Sequence, residues 1–516
     1  MPLTDENKMY IEDKRIKFKI IAISSAIWTI LAHGMALFNK YSYHDDVASF
    51  NSVGNTYSSG RWMLGVLGKI VNIITGSKHV STPIPNGVLT VVCIAMIWYM
   101  ISNALNIRSI ILNIMACGIL ISFPSVTGIF GYMFTAPYYY FGALQGVLGV
   151  YIYYKYKNLT AWIVSSALLA CSVGVYQANI PICLCTLLLF FLADIYNTDR
   201  DWKTFWKNVF SNILLCIIFM AEYFIVNRLF LKFLSISLLD YKGLNGFGKT
   251  NLKSYLFRII VAYKQFLYPT DNIWGNMFPY AAKYYHIMLV IIMIILSIKL
   301  CLIVSKQNKN KAIQIMMVML IFPLAAYFAY VMVDIEEVHA LMMFGGAFTF
   351  ILAVWVLDNL LVKSNIEILL KHAGTVLIGI LLFLNIRFSN VCYLKAEILQ
   401  SQTISYCTTL ITQIKSTEGY TDETPVVYLN EYLKYDNNLL GADYLFDTIT
   451  TFPYESNTTI NDYVWYGTMQ QWCGFSPILG DASIYEDNEE VKKMPCYPDD
   501  GSIRYIDGQI VVKFSE

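Results

Sequence analysis

Charge is what this chain has least of: Asp, Glu, Lys and Arg make up 14% of 516 residues, against 56% hydrophobic side chains. A water-soluble chain carries roughly 25% charged residues to cover its surface, so a soluble globular fold is excluded. The net charge is +1, which removes the electrostatic footprint of a nucleic-acid binder. Cysteine offers no metal spacing. Cys183 and Cys185 are two apart, and Cys93, Cys117, Cys171, Cys183, Cys185, Cys216 and Cys301 fall in apolar runs, where a thiol packs as a small hydrophobe. No small-residue cleavage pattern follows the basic Lys14, Arg15, Lys17 and Lys19, so the first apolar run is expected to stay as a span. Neither an internal repeat nor a low-complexity stretch is visible.

Apolar runs fill the space that charge leaves, and the mean hydropathy is +0.50. Eleven of them predict spans: Phe18–Phe38, Val88–Leu105, Ile110–Gly131, Tyr139–Tyr154, Leu159–Gln177, Ile180–Tyr196, Val209–Leu231, Tyr285–Ser305, Ile313–Val333, Ala340–Leu361 and Ala373–Phe388. About 18 apolar residues suffice to cross a bilayer core of roughly 30 Å. The expected fold class is therefore an α-helical polytopic membrane protein. Basic residues alternate with the connections. The N-terminal tail, Arg108, Lys155/Lys157, Arg200/Lys203/Lys207, Lys306/Lys309/Lys311 and Lys363/Lys371 all fall on one side. The opposite turns (Ala136-Pro137, Ala178-Asn179, Asp334 to Glu337) hold none. By the positive-inside bias the N-terminus is cytoplasmic and the C-terminus lies outside.

Residues 1–388 then form the membrane domain, with long outer loops at 39–87 and 232–284. Residues 389–516 read as a small outer α/β domain. It has a helical pattern at Ile398, Ile404, Leu410, Ile411 and Ile414, a strand at Val426–Leu429 and a hairpin, Ser502–Ile506 and Gln509–Phe514, around Asp507-Gly508. Whether Cys473 and Cys496 pair is left open.

Candidate chemistry gathers at the outer boundary. Asp45 and Asp46 follow the first span, where a membrane enzyme acting on a lipid-phosphate sugar needs the base that takes the acceptor proton. A helix cap or solvated turn explains the same pair. Adjacent carboxylates repel, so Asp46 is read as the base and Asp45 as the group that holds the acceptor. His44 beside them reads as a polar loop residue, with metal ligation as the alternative. Arg61 suits a phosphate, and Trp62 suits a sugar face or the interfacial belt. The same two readings apply to Tyr139 within Pro137–Phe141. In the second loop Leu252, Leu256, Ile259, Ile260, Tyr263, Phe266 and Leu267 keep helical spacing. That predicts an interfacial helix in which Arg258 and Lys264 meet a donor phosphate or anchor to headgroups. Glu222 is an acid deep in the seventh span and is expected to face a cavity or partner. Asp334, Glu336, Glu337 and His339 crowd one turn, read as a divalent cation site or a polar wall.

Tyr43-His44-Asp45-Asp46, Gly60-Arg61-Trp62, Tyr138–Phe141 and Ser172-Val173-Gly174-Val175-Tyr176-Gln177-Ala178, in this order, resemble the type II bacteriophage-type serotype-converting glucosyltransferases. The ending Tyr497–Ile503 with Asp507-Gly508 is similar to that group's outer domain. The resemblance implies a GT-C-like fold and a bacterial plasma-membrane enzyme that inverts glucose from a polyprenyl-phosphate donor onto an outer polysaccharide. It adds Gln177 to the donor-binding set, and a separate donor synthase and flippase as partners. The short outer domain leaves the acceptor glycan open. The competing reading is a transporter or flippase for lipid-linked saccharides. Transporters commonly carry internal repeats and broken midplane helices. The absence of repeats and the one-sided polar groups favour the enzyme.

Overall fold

The computed structural model describes residues 13–41, 45–239, 251–269, 281–360, 364–429, 465–485 and 487–515. The chain divides into two compact units, 1–40 with 51–391 and 450–452, and 41–50 with 392–449 and 453–516. Tyr43, His44 and Lys363 lie outside the described residues.

Helices make up the first unit: α1 (Lys14–Phe38), α3 (Trp62–Thr75), α4 (Pro83–Ala104), α5 (Ile110–Ser122), α6 (Pro124–Phe130), α7 (Ala136–Tyr156), α8 (Leu159–Val175), α9 (Ile180–Asn197), α10 (Trp202–Leu234), α11 (Leu252–Leu267), α12 (Ala281–Ser305), α13 (Lys309–Ala326), α14 (Ala329–Met332) and α15 (Phe348–Asn359). Each of the eleven predicted stretches contains helix. Their starts have local causes. Asp13, Asn158, Asp201, Asn251 and Asn308 accept a backbone N–H of the first turn with a side-chain oxygen. Proline occupies the first turn of α4, α6, α7 and α9, where no N–H is needed. Pro124 also separates α5 from α6 and bends the pair by 41°.

Seven described helices are long and apolar enough to cross a bilayer, eight if that bent pair is one span. Trp62–Thr75, Leu159–Val175 and Phe344–Asn359 are shorter apolar helices. Helix α7 packs between α4 and α8, α9 against α13, and α10 against α8. Most of the apolar span Gln177–Asn197 is enclosed by protein, whereas α10 leaves Ile213, Ile217, Ile225 and Leu229 exposed. An outer face of this composition is stable where the surrounding solvent is hydrocarbon. This is a helical polytopic membrane protein.

One prediction changes at the end of the first unit. The last span and the helical pattern after it are a single helix, α16 (Asn365–Ser416), because no proline or glycine interrupts Phe388 to Ile398. In the second unit Tyr406, Cys407, Leu410 and Ile414 of α16 share a core with Val426, Ile510 and Val512. These belong to a three-stranded sheet ordered β1 (Val426–Leu429), β3 (Gln509–Lys513), β2 (Ile503–Ile506). β1 runs parallel to β3, and β2 pairs antiparallel with it. Asp507 and Gly508 both have positive φ, the requirement of a two-residue hairpin turn. Val427, Val511, Tyr485 and Met494 form a separate core cluster. The unit also holds α2 (Asp45–Ala48), α17 (Trp465–Cys473) and α18 (Glu489–Lys492).

Candidate active site

In the first unit an arginine is held by two tyrosines, Tyr139 and Tyr176. Arg61 leads into α3. Its Nη1 donates to the Tyr139 hydroxyl at 2.9 Å, and its guanidinium lies 5.3 Å from the Tyr176 ring centroid and 5.7 Å from that of Tyr139. The two rings stack on one another at 4.1 Å, 3° from parallel. Beside them the Gln177 amide donates to the Ser59 carbonyl at 2.8 Å and to the Tyr223 hydroxyl at 3.2 Å, and Tyr223 donates to the Gly60 carbonyl at 3.1 Å. Gly60 has φ of +73°, and a Cβ there would lie 2.8 Å from the Tyr223 hydroxyl and 2.9 Å from the Gln177 amide. A side chain at this turn would force the polar cluster apart. Asn227, 6% exposed, closes it one turn along α10. Its Oδ1 is buried with no hydrogen-bond partner among the described residues.

Arg61, Tyr139 and Gln177 thus lie in one cluster. The tyrosine run is not an interfacial belt: Tyr138, Tyr139 and Tyr140 are all buried. Trp62 is a packing residue, 6% exposed and stacked on Phe230 at 5.8 Å. It lies against Gly174, where a Cβ would fall 2.5 Å from the indole. Gly174→Ala is therefore expected to lower the thermal midpoint, by about 1–3 kcal/mol of overpacking. An unchanged midpoint would show that the indole has room to shift. Sequence reasoning missed Tyr176, Tyr223 and Asn227. Tyr176 lay inside a quoted motif, and Tyr223 is the neighbour of the acid that drew attention instead.

The other candidates sit elsewhere. Glu222 accepts from the Ser166 hydroxyl at 2.9 Å, across from α8, and is absent from the arginine cluster. Helix α11 forms as predicted, and what differs is the direction of Arg258. Leu252, Leu256, Ile260 and Leu267 are exposed, and Arg258 is turned inward into an ion pair with Asp334. A guanidinium 8% exposed needs a counter-charge, and the Asp334 turn supplies it. Lys264 is exposed on the same helix. Glu336 and Glu337 stand exposed on a single turn, Ile335–Glu337, with His339 partly exposed after it. Among the described residues no group of three or more His, Cys, Asp or Glu side chains converges as a metal site would require, so the cation-site reading of this turn is not kept.

Asp45 and Asp46 belong to the second unit. They open α2, where a negative charge is favoured by the helix N-terminus. Asp46 is fully buried and Asp45 half-buried, so of the two alternative explanations of the pair the solvated turn does not apply to Asp46. The short helix is backed by α17, whose Gln471 amide donates to the Val47 carbonyl at 2.9 Å. Just before it the Tyr41 hydroxyl donates to Glu397 at 3.3 Å. Burial, and then the Glu397 charge, push the Tyr41 phenol up to about 12, so it remains a neutral donor at physiological pH.

The family model for glucosyl transferase GtrII matches residues 34–350, more than half of the chain, a range that takes in both aspartates and the whole arginine cluster. No curated protein and no solved structure matches the chain.

Proposed function

The chain belongs to the GtrII glucosyl transferase family, and we propose that it inverts glucose from a polyprenyl-phosphate donor onto a surface polysaccharide outside a bacterial plasma membrane. Family membership makes it a glycosyltransferase and decides against the transporter reading. The lipid-linked donor rests on one observation, the course of two helices below the arginine cluster. Gln177 heads the helical run Gln177–Asn197, and Leu184, Leu188 and Phe191 follow at helical spacing on its side. Along α10, Cys216 and Asn212 share the face of Tyr223. All five of these residues line an apolar groove of about 730 Å³ between α9, α10 and α13. A ligand suited to both parts is an amphiphile, with its anionic head at Arg61 and its hydrocarbon in the groove. A polyprenyl-phosphate sugar has this form and a nucleotide sugar does not.

In this reading Arg61 neutralises the donor phosphate as it leaves, taking the part first given to Arg258, whose guanidinium is committed to Asp334. Gln177 and Tyr139 orient Arg61 and the sugar. Asn227 Oδ1, a buried acceptor that needs a donor, takes a sugar hydroxyl. Asp46 is the base and Asp45 orients the acceptor. Lys264, Glu222, Glu336, Glu337 and His339 are given no role. A separate synthase and flippase supply the donor to the outer face. The deciding experiment offers the purified protein labelled glucose on polyprenyl phosphate or on a nucleotide, with a surface polysaccharide as acceptor. Transfer from the lipid alone is expected; transfer from the nucleotide alone would overturn the donor class.

The orientation is proposed with the N-terminus inside and the second unit outside. Cysteines at Asn55 and Ser483, both exposed, are expected to add to the labelling of intact cells by an impermeant thiol reagent, measured over the parent protein. One at Gln307, also exposed, is expected to label only after the cells are opened. Labelling at Gln307 in intact cells would reverse the active side.

A further inference from the structure

Two thiols meet in the core of the second unit. Cys407 is fully buried on α16, and Cys473 ends α17, packed against the same cluster. Cys473 packs against the cluster that holds Cys407, and this neighbourhood, the Cys407 side chain first, lowers the Cys473 thiol to about 7, against an ordinary value near 9. Being partly exposed, it is a thiolate within reach of a reagent for much of the time at neutral pH. Cys496, whose pairing with Cys473 the sequence left open, is a free thiol like the others. The helix that ends in Cys473 is also the one that backs α2. Its Gln471 holds the Val47 carbonyl, one residue beyond Asp46, and Gly467 packs on the Val47 side chain.

We propose that Cys407 and Cys473 are a disulfide-forming pair whose closure fixes α17 to α16 and thereby steadies the Asp45–Asp46 turn. The oxidant is a small or protein disulfide. Cys473 thiolate attacks one of its sulfurs and releases a thiolate, leaving a mixed disulfide. Cys407 gives up its proton to that thiolate and attacks the Cys473 sulfur, releasing the second thiol. Two protein thiols become one disulfide, and the oxidant is reduced to two thiols. Closure inside a cell rests on the outward placement of this unit, because such bonds persist in an oxidising compartment.

The test uses the purified full chain, which makes it independent of sidedness. The protein is incubated with oxidised glutathione, quenched in acid, denatured, alkylated and digested. The expected result is a linked Cys407–Cys473 peptide, with alkylation of Cys473 reduced by about tenfold or more while Cys496 stays alkylated. A Cys407→Ser variant is expected to stop at a glutathione adduct on Cys473. Full alkylation of both thiols in the oxidised wild type, or a link from Cys473 to Cys496, would overturn the pairing. The wild-type digest decides this even if the variant fails to fold. A linked peptide in vitro with no link in cells would leave the pair intact and count against the outward placement alone.

Discussion

Asp46→Asn is expected to leave a protein that inserts and accumulates yet transfers sugar about 10²–10⁴-fold more slowly, the usual cost of losing general-base help. The amide keeps the shape of the carboxylate and much of its hydrogen bonding, so the change removes one thing, the ability to take the acceptor proton. Asp46 is fully buried at the start of α2. A carboxylate held in this way has its rotamer fixed before the acceptor arrives. Asp45, half-buried beside it, is expected to lose far less as Asn. The rate is to be read at saturating donor, together with the thermal midpoint and the pH profile. A larger loss at Asp45 than at Asp46 would exchange their roles. Wild-type turnover in both variants would remove α2 from the chemistry.

The helices were legible because a bilayer imposes a simple rule: backbone polar groups must be satisfied within the segment. Runs such as Val209–Leu231 announce themselves by composition, and their caps and first-turn prolines are local. The Asp507-Gly508 hairpin was legible for a similar reason, since two residues with positive φ are demanded by the turn itself. What the pattern could not say is which way a helix faces when neither side meets water. On α11 the apolar spacing was read correctly, but the direction of Arg258 was not. Arg258 is buried, and its counter-charge is an exposed carboxylate on a turn 76 residues away in sequence. The arginine cluster was half visible. Gly60, Arg61, Tyr139 and Gln177 stood in quoted motifs, whereas Tyr223 and Asn227 join it only because α10 packs on α8. Trp62 looked like a sugar platform, and nothing local disclosed that Gly174 and Phe230 would enclose it.

Arg61→Ala is expected to raise the KM for the lipid donor roughly ten- to hundredfold, the equivalent of about 1.5–3 kcal/mol for a hydrogen bond to a charged group. A further fall in kcat is expected if the contact tightens as the phosphate leaves, because an interaction stronger in the transition state acts on turnover rather than on binding. The neighbours separate this from a packing effect. Tyr139→Phe removes the hydroxyl that accepts from Nη1 at 2.9 Å but keeps the ring stacked on Tyr176, so it should cost less than Arg61→Ala. Arg61→Lys keeps the charge and loses both the planar stacking on the two rings and the forked donor set, so it should recover only part of the activity. A structural role would predict a different order. Tyr139→Phe and Arg61→Lys would then track the thermal midpoint, and KM for the donor would not move. An Arg61→Ala protein with wild-type donor KM and a lowered midpoint would make the arginine a pillar of the tyrosine stack. The donor phosphate would then have to be met by a group outside this cluster.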